Sequence, residues 1–394
     1  MAHRKTVALL AATQALLLTN GITLVTINGL LGLQLAPARW LATLPITTYV
    51  IGGMLATLPA AFFMKRYGRR SGFMLGGTLG MVGAAISALA VYLGSFWLLC
   101  FGTVFAGVYN AFGQQFRFAA ADAAPPDWKS KAISLTLTGG IIGGVIGPEA
   151  AKHTRNLFEV TYLGSYLALI GFAALSVLIA SRLRIPPLTA AEQAARGRPW
   201  LQIARQPVFI VAVMAAACGY GVMNLLMTAT PLAMDICGLP FGDTAFILQW
   251  HVIGMFAPSF FTGGLIKRFG VLNILITGAA LMFVCIAIAL SGVTLMHFWW
   301  ALVLLGIGWN FLFIGGTTLL TETYRAEEKA KVQGSNDFIV LGVQGLTSLS
   351  SGALITSEGW FRLNSLALPI VAMTALASAL LWLHRRAARN LEKP

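Results

Sequence analysis

The stretch FFMKRYGRR, Phe62 to Arg70, is a short basic turn between two apolar runs, and it recurs about 200 residues later as GLIKRFG, Gly264 to Gly270. A helix needs about 20 mostly apolar residues to cross the hydrocarbon core of a bilayer. A cluster of Lys and Arg between two such runs marks a turn on the inner side of the membrane. Counting outward from these two turns gives twelve apolar runs, roughly at 6–34, 40–64, 71–93, 97–121, 132–151, 160–181, 208–234, 244–266, 271–292, 297–320, 332–356 and 363–384. The 394-residue chain is 57% hydrophobic and 10% charged, with mean hydropathy +0.78. Soluble domains carry about 25% charged residues, so lipid is the expected solvent. The fold class expected is an all-α membrane protein with twelve transmembrane helices. The first run exceeds the roughly 7–15 apolar residues of a signal-peptide core and reads as a retained span.

The net charge of +14 raises the question of nucleic acid. Of the 27 Lys and Arg, 22 fall in the terminal segments and the loops that follow even-numbered runs and those between runs four and five and ten and eleven; four (Arg39, Lys152, Arg155, Arg362) fall in the alternate loops, and Arg117 lies within a run. This asymmetry places both termini in the cytoplasm. It also accounts for the charge without nucleic acid, since the basic residues sit in short clusters rather than on one face. Cys100, Cys218, Cys237 and Cys285 show no disulfide pattern.

The longest polar interruption follows the sixth run. It divides the chain into an expected N-terminal bundle (1–181), a cytoplasmic linker (182–207) and a C-terminal bundle (208–394). The halves repeat. GVYNAFGQQFRFAAADAAPPDWKSK (107–131) matches GIGWNFLFIGGTTLLTETYRAEEKAK (306–331), which sets Asn110 on Asn310, Asp122 on Glu322, and Lys129 and Lys131 on Lys329 and Lys331. Parallel duplication of a six-helix unit is one architecture of alternating-access carriers.

The twelve runs, the repeat and the basic turns resemble the major facilitator superfamily over essentially the whole chain. Its loop motif G-x-x-x-D-R-x-G-R-R appears as AFFMKRYGRR (61–70) and as GGLIKRFG (263–270), with Lys65 and Lys267 where an Asp is usual. The charge latch built on that Asp is therefore expected to be altered. GGIIGGVIGPEAA on the fifth run is similar to the family's Gly-Pro motif; small residues that let helices approach closely would look the same. A monomer carried in the lipid bilayer is expected.

Ionisable groups inside spans are functional candidates by default. Arg117 and Asp122 lie near the inner end of span four and read as a structural ion pair or as a gating pair. Glu149 and Glu322 belong with them as gating or coupling candidates. So does Asp337, expected near water at the start of span eleven. Asn110 and Asn310 occupy matching positions, suited to lining a cavity or to bonding one helix to another. Tyr109, Trp309 and Phe313 could stack on a flat ring.

His251 lies about 12 Å into span eight at 1.5 Å per residue, and an imidazole there needs a partner. Positions four apart share a helix face. Met223 and Met227 therefore stack on span seven, with Met234 returning near the same direction, and His251 and Met255 stack on span eight. Thioethers suit Cu(I) and imidazole suits copper. Methionine is also an ordinary gap-filler. Cys237, Asp235 and Asp243 sit at the outer mouth, where they could attract a cation.

MNLLM (223–227) with HVIGM (251–255) resembles the signature of CcoA-type bacterial copper importers, which serve cbb3-type oxidase maturation. The resemblance implies copper contacts at Met223, Met227, His251 and Met255, with support from Cys237 and Cys218, and an inner-membrane location. It makes copper, as Cu(I) or a complex, the expected cargo, with no catalytic cofactor and no enzyme activity. The same branch contains riboflavin importers, which makes an organic solute the alternative, and a copper-holding assembly protein a further one. No G-x-x-x-x-G-K-[ST] loop for ATP is present.

Overall fold

The computed structural model describes residues 2–38, 41, 44–185 and 197–391. Most of the expected linker (186–196), with Arg196, and also Arg39 and Lys393 lie outside the described residues. Twelve helices are long and apolar enough to cross a membrane. They are α1 (His3–Asn28), α2 (Leu44–Tyr67), α3 (Arg69–Leu93), α4 (Phe96–Ala123), α5 (Pro126–Thr154), α6 (Leu163–Ala180), α7 (Pro207–Ile236), α8 (Gly242–Phe269), α9 (Val271–Ser291), α10 (Leu295–Leu320), α11 (Ala326–Ile355) and α12 (Gly359–Ala388). No strand occurs among the described residues. The fold is that expected from the apolar runs.

Packing divides the chain into two units. The first comprises Met1–Pro125, Leu135–Gly197 and Arg325–Leu341; the second comprises Pro126–Ser134, Arg198–Tyr324 and Gly342–Pro394. The main division falls within the expected linker. The start of α11 belongs to the first unit and the start of α5 to the second, a pattern that hydropathy does not reveal. Within the first unit α4 packs along α2 and α3, and α1 along α5. Within the second, α10 packs along α7, α8 and α9.

The duplicated basic turn is also duplicated in backbone. Gly68 has φ 85°, ψ 156° and Gly270 has φ 87°, ψ 149°, and each starts the next helix. Side chains avoid that region of φ/ψ space, so glycine is required in both copies. Close helix contact also needs glycine. A Cβ at Gly107 would stand 2.0 Å from the Tyr49 carbonyl oxygen, and one at Gly306 would stand 2.6 Å from that of His251.

Two helices change course where the chemistry lies. The path of α4 runs as Phe96–Gln114 and then Phe116–Ala123, joined at Gln115 with φ −80°, ψ −7°. That of α8 breaks between Phe256 and Ser259, at Ala257–Pro258, because proline offers no N–H to the preceding turn.

Candidate functional site

In the first unit, the ends of α2 and α4 and the start of α11 converge in a polar cluster. Asp337 and Arg117 are 1% and 2% exposed and form an ion pair. The second carboxylate oxygen of Asp337 accepts from Gln115 Nε2 at 2.7 Å, and Asn336 Nδ2 donates to the first at 3.1 Å. Arg117 also donates to Gln114 at 2.9 Å and lies 4.8 Å from the Phe118 ring centre. Gln115, fully buried at the α4 break, accepts from Arg69 at 2.7 Å. Arg69 further contacts Gln333 at 2.6 Å and Asp122 at 3.0 Å, and Asp122 is 2.9 Å from Lys329.

Two expectations are corrected here, and a third, that the latch is altered, is met. Arg117 forms its ion pair with Asp337 on α11, while Asp122 pairs with Arg69 and Lys329. Asp337 is buried rather than near water, since α11 begins eleven residues earlier at Ala326 and carries it inward. The latch lacking its usual Asp at Lys65 is rebuilt. Asp122 supplies the carboxylate between Arg69 and Lys329, and Lys65 Nζ donates to the Glu327 main-chain oxygen at 3.0 Å. The other two acids stand apart from the cluster. Glu149 faces His153 at 3.4 Å and Glu322 faces Arg385 at 2.8 Å, both largely open to solvent.

Also in the first unit, Tyr109 and Asn110 join Asn20 and Tyr49 around a cavity of about 10 Å³, room for roughly one water. Asn110 is half-buried. Its counterpart Asn310, in the second unit, is fully buried and bonds one helix to another. It donates to the Met255 carbonyl and to Ser259 Oγ, each at 2.6 Å, and accepts from Thr262 Oγ1 at 2.7 Å. It pins α10 to α8 across the proline break.

In the second unit an aromatic group forms on α7, α8 and α10. Trp309 and Phe313 stack with centroids 4.9 Å apart and planes 15° apart. The Tyr220 ring meets both edge-on at 5.4 Å, and Phe256 meets Trp309 at 5.7 Å. Trp309, Phe313 and Phe256 are buried; Tyr220 is half-buried.

His251 is fully buried, and its Nδ1 lies 2.7 Å from the Leu302 carbonyl oxygen on α10. A carbonyl can only accept, so Nδ1 carries the hydrogen and Nε2 presents a lone pair. Nε2 has no partner. One ring nitrogen is thus committed to α10. Met223, Met234 and Met255 are buried and Met227 is half-buried. The helices α7 and α8 that carry them both pack along α10 and touch one another sparingly. Cys237 and Asp235 are exposed, Asp243 and Cys218 half-buried. Among the described residues no group of three His, Cys, Asp or Glu converges as a metal site.

Sequence reading missed Gln115, Asn336, Tyr220 and Phe256. The first two left a trace as amides in apolar surroundings, in GQQFR and SND. Tyr220 and Phe256 look like ordinary span residues.

Residues 7–346 match the family model of the Major Facilitator Superfamily. The riboflavin transporter RfnT of Brucella anthropi is 42% identical over 94% of each chain. An uncharacterized MFS-type transporter of Bacillus subtilis, YdeG, is 26% identical over 86% of this chain and 83% of its own. The crystal structure of the transporter FucP in the outward conformation superposes with a TM-score of 0.76 at 16% identity, covering 96% of this chain and 99% of that one. The chain belongs to the Major Facilitator Superfamily and is a multi-pass membrane protein of a family of secondary transporters.

Proposed function

We propose that this protein carries riboflavin, or a closely similar flat hydroxylated ring compound, into the bacterial cytoplasm across the inner membrane, with its basic loops and both termini inside. The observation that carries this reading is the 42% identity to a riboflavin transporter over 94% of both chains. The Trp309, Phe313, Tyr220 and Phe256 group supports it, because aromatic faces gather flat rings by stacking. The half-buried Tyr220 is the member open to an arriving solute. The test is growth of a riboflavin-auxotrophic bacterium at limiting riboflavin, with uptake of labelled riboflavin measured alongside. Expression of this chain is expected to restore both; no uptake would remove the reading.

A second reading, import of copper as Cu(I) or a chelate, retains one favourable observation. His251 offers an unpartnered Nε2 lone pair one helical turn before Met255, and imidazole and thioether are copper ligands. The identity to a riboflavin transporter weighs against it. Copper accumulation in the same cells, with His251→Ala as control, separates the two readings: copper uptake abolished by that substitution would reinstate copper import.

A further inference from the structure

The start of α7 and the end of α12, both in the second unit, leave a groove of about 400 Å³ between them. Its walls are Pro207 and Val208 from α7 and Leu381, His384, Arg385 and Ala388 from α12. Positions 381, 384, 385 and 388 follow the i, i+3, i+4, i+7 spacing and so share one face of α12. The duplication supplies a contrast. In the first unit the corresponding helices, α1 and α6, are joined directly. Thr6 Oγ1 donates to the Arg184 carbonyl oxygen at 3.4 Å, and Thr6 and Leu183 are buried. The fold can therefore close this junction, and the second unit leaves it open.

Two chemistries meet in the groove. One is apolar. Met373, Leu376 and Leu380 are exposed along α12 and lead up to His384, one turn beyond Leu380. An exposed apolar stripe on a spanning helix lies against acyl chains. Trp200 and Leu201 are exposed on the short helix Trp200–Ala204 that precedes α7, and exposed tryptophan settles at the headgroup level. The other chemistry is cationic. Arg385 Nη2 donates to Glu322 at 2.8 Å, which fixes the guanidinium beside the groove, and its other N–H groups have no acceptor among the described residues. His384 is exposed on the groove wall and Arg205 is exposed two residues before Pro207; neither has a side-chain partner among the described residues. Gln206 gives its amide to the Thr323 carbonyl at 3.2 Å and does not cap α7, so the positive end of a 30-residue helix adds to the same field.

We propose that this groove binds an anionic phospholipid of the cytoplasmic leaflet, the leaflet being that of the orientation proposed above. The phosphate meets Arg385, Arg205 and His384. The glycerol and first acyl carbons cover Val208 and Leu381, and the chain continues along Leu380, Leu376 and Met373. Basic pockets between spanning helices on the cytoplasmic side hold such headgroups. The occupant is a lipid and not a free phosphate, because a phosphate alone would leave the apolar walls bare. Bound there, the lipid ties the start of α7 to the end of α12 and, through Arg385 and Glu322, to the residues that follow α10. This role is independent of the solute carried.

The test uses the full chain purified in detergent, with thermal unfolding followed as phosphatidylglycerol or phosphatidylcholine is added. Phosphatidylglycerol is expected to raise the melting temperature in a saturable way, at concentrations about fivefold or more below those of phosphatidylcholine. Ala388→Trp puts an indole into the groove from an exposed position and changes no charge. It is expected to raise the half-saturating phosphatidylglycerol concentration about fivefold or more, and Arg385→Gln is expected to do the same. Arg386→Gln removes an equal charge from the neighbouring face, where Arg386 lies 5.1 Å from the Trp382 ring centre, and is expected to stay within about twofold. Absence of saturable stabilisation, or equal responses to the two lipids, would overturn the proposal. So would an Ala388→Trp protein that saturates like the unmodified one. Equal losses from Arg385→Gln and Arg386→Gln would overturn it by revealing only a diffuse surface charge. Glycerol 3-phosphate at the same concentrations is expected to have no effect; stabilisation equal to that by the lipid would give the groove to a soluble phosphate instead.

Discussion

Arg117 and Asp337 share a buried position that neither could hold alone. Replacing Arg117 by Met leaves the Asp337 carboxylate without its paired cation, hydrogen-bonded to the amides of Gln115 and Asn336, and is expected to cost about 3–5 kcal/mol of stability. Adding Asp337→Leu is expected to recover most of that loss, because both charges are then gone. Chemical denaturation of the detergent-purified protein measures both. In the second unit the prediction concerns recognition. Tyr220→Ala is expected to raise the riboflavin concentration for half-maximal uptake roughly 3–10-fold, the equivalent of one or two lost aromatic contacts, whereas Tyr220→Phe leaves it nearly unchanged. Equal defects in the two variants would show that the hydroxyl matters and stacking does not. Sequence reading reached Arg117, Asp337, Trp309 and Phe313 as individuals, since a charge or an aromatic inside a span stands out. It could not pair Arg117 with Asp337, because the partners are separated by 220 residues and Asp122 is far nearer along the chain.

At the level of helices, glycine sets how closely rods approach and how they turn. Gly306 lets α10 touch the backbone of α8 at His251. Gly306→Ala is expected to cost about 1–3 kcal/mol through overpacking and to disturb the His251–Leu302 bond, read as a lower melting temperature. Gly68→Ala and Gly270→Ala are each expected to cost about 1–3 kcal/mol, by equal amounts, because the same strained backbone is imposed at both. Unequal costs would show that the two turns are not equivalent. Helix existence was legible throughout, since a run of 20 apolar residues has few other uses. The break at Gln115 was not: no proline or glycine marks position 115, and the bend is fixed by bonds from Arg69 and to Asp337 that form only in the folded unit.

For the molecule as a whole, duplication was legible and the exchange of helix ends between units was not. Hydropathy treats α5 and α11 as uninterrupted runs, whereas packing assigns their first turns to the opposite unit. The first unit is therefore incomplete without residues 325–341. A chain ending at Gly197 lacks Asp337, Lys329 and Gln333 and is expected to be more readily cleaved by protease than the same residues in the full protein. Co-expression of residues 198–394 is expected to restore resistance; a fragment already as resistant by itself would mean that the α11 segment adds nothing to the unit.

That dependence has a temporal side. Ribosomes add about 5–20 residues each second, so the 220 positions between Arg117 and Asp337 correspond to about 10–45 s of synthesis. Throughout that interval a guanidinium destined for a dry interior waits in a nascent chain whose counter-ion has not yet been made. Something else, such as lipid phosphate, water or the insertion machinery, must shelter it until then.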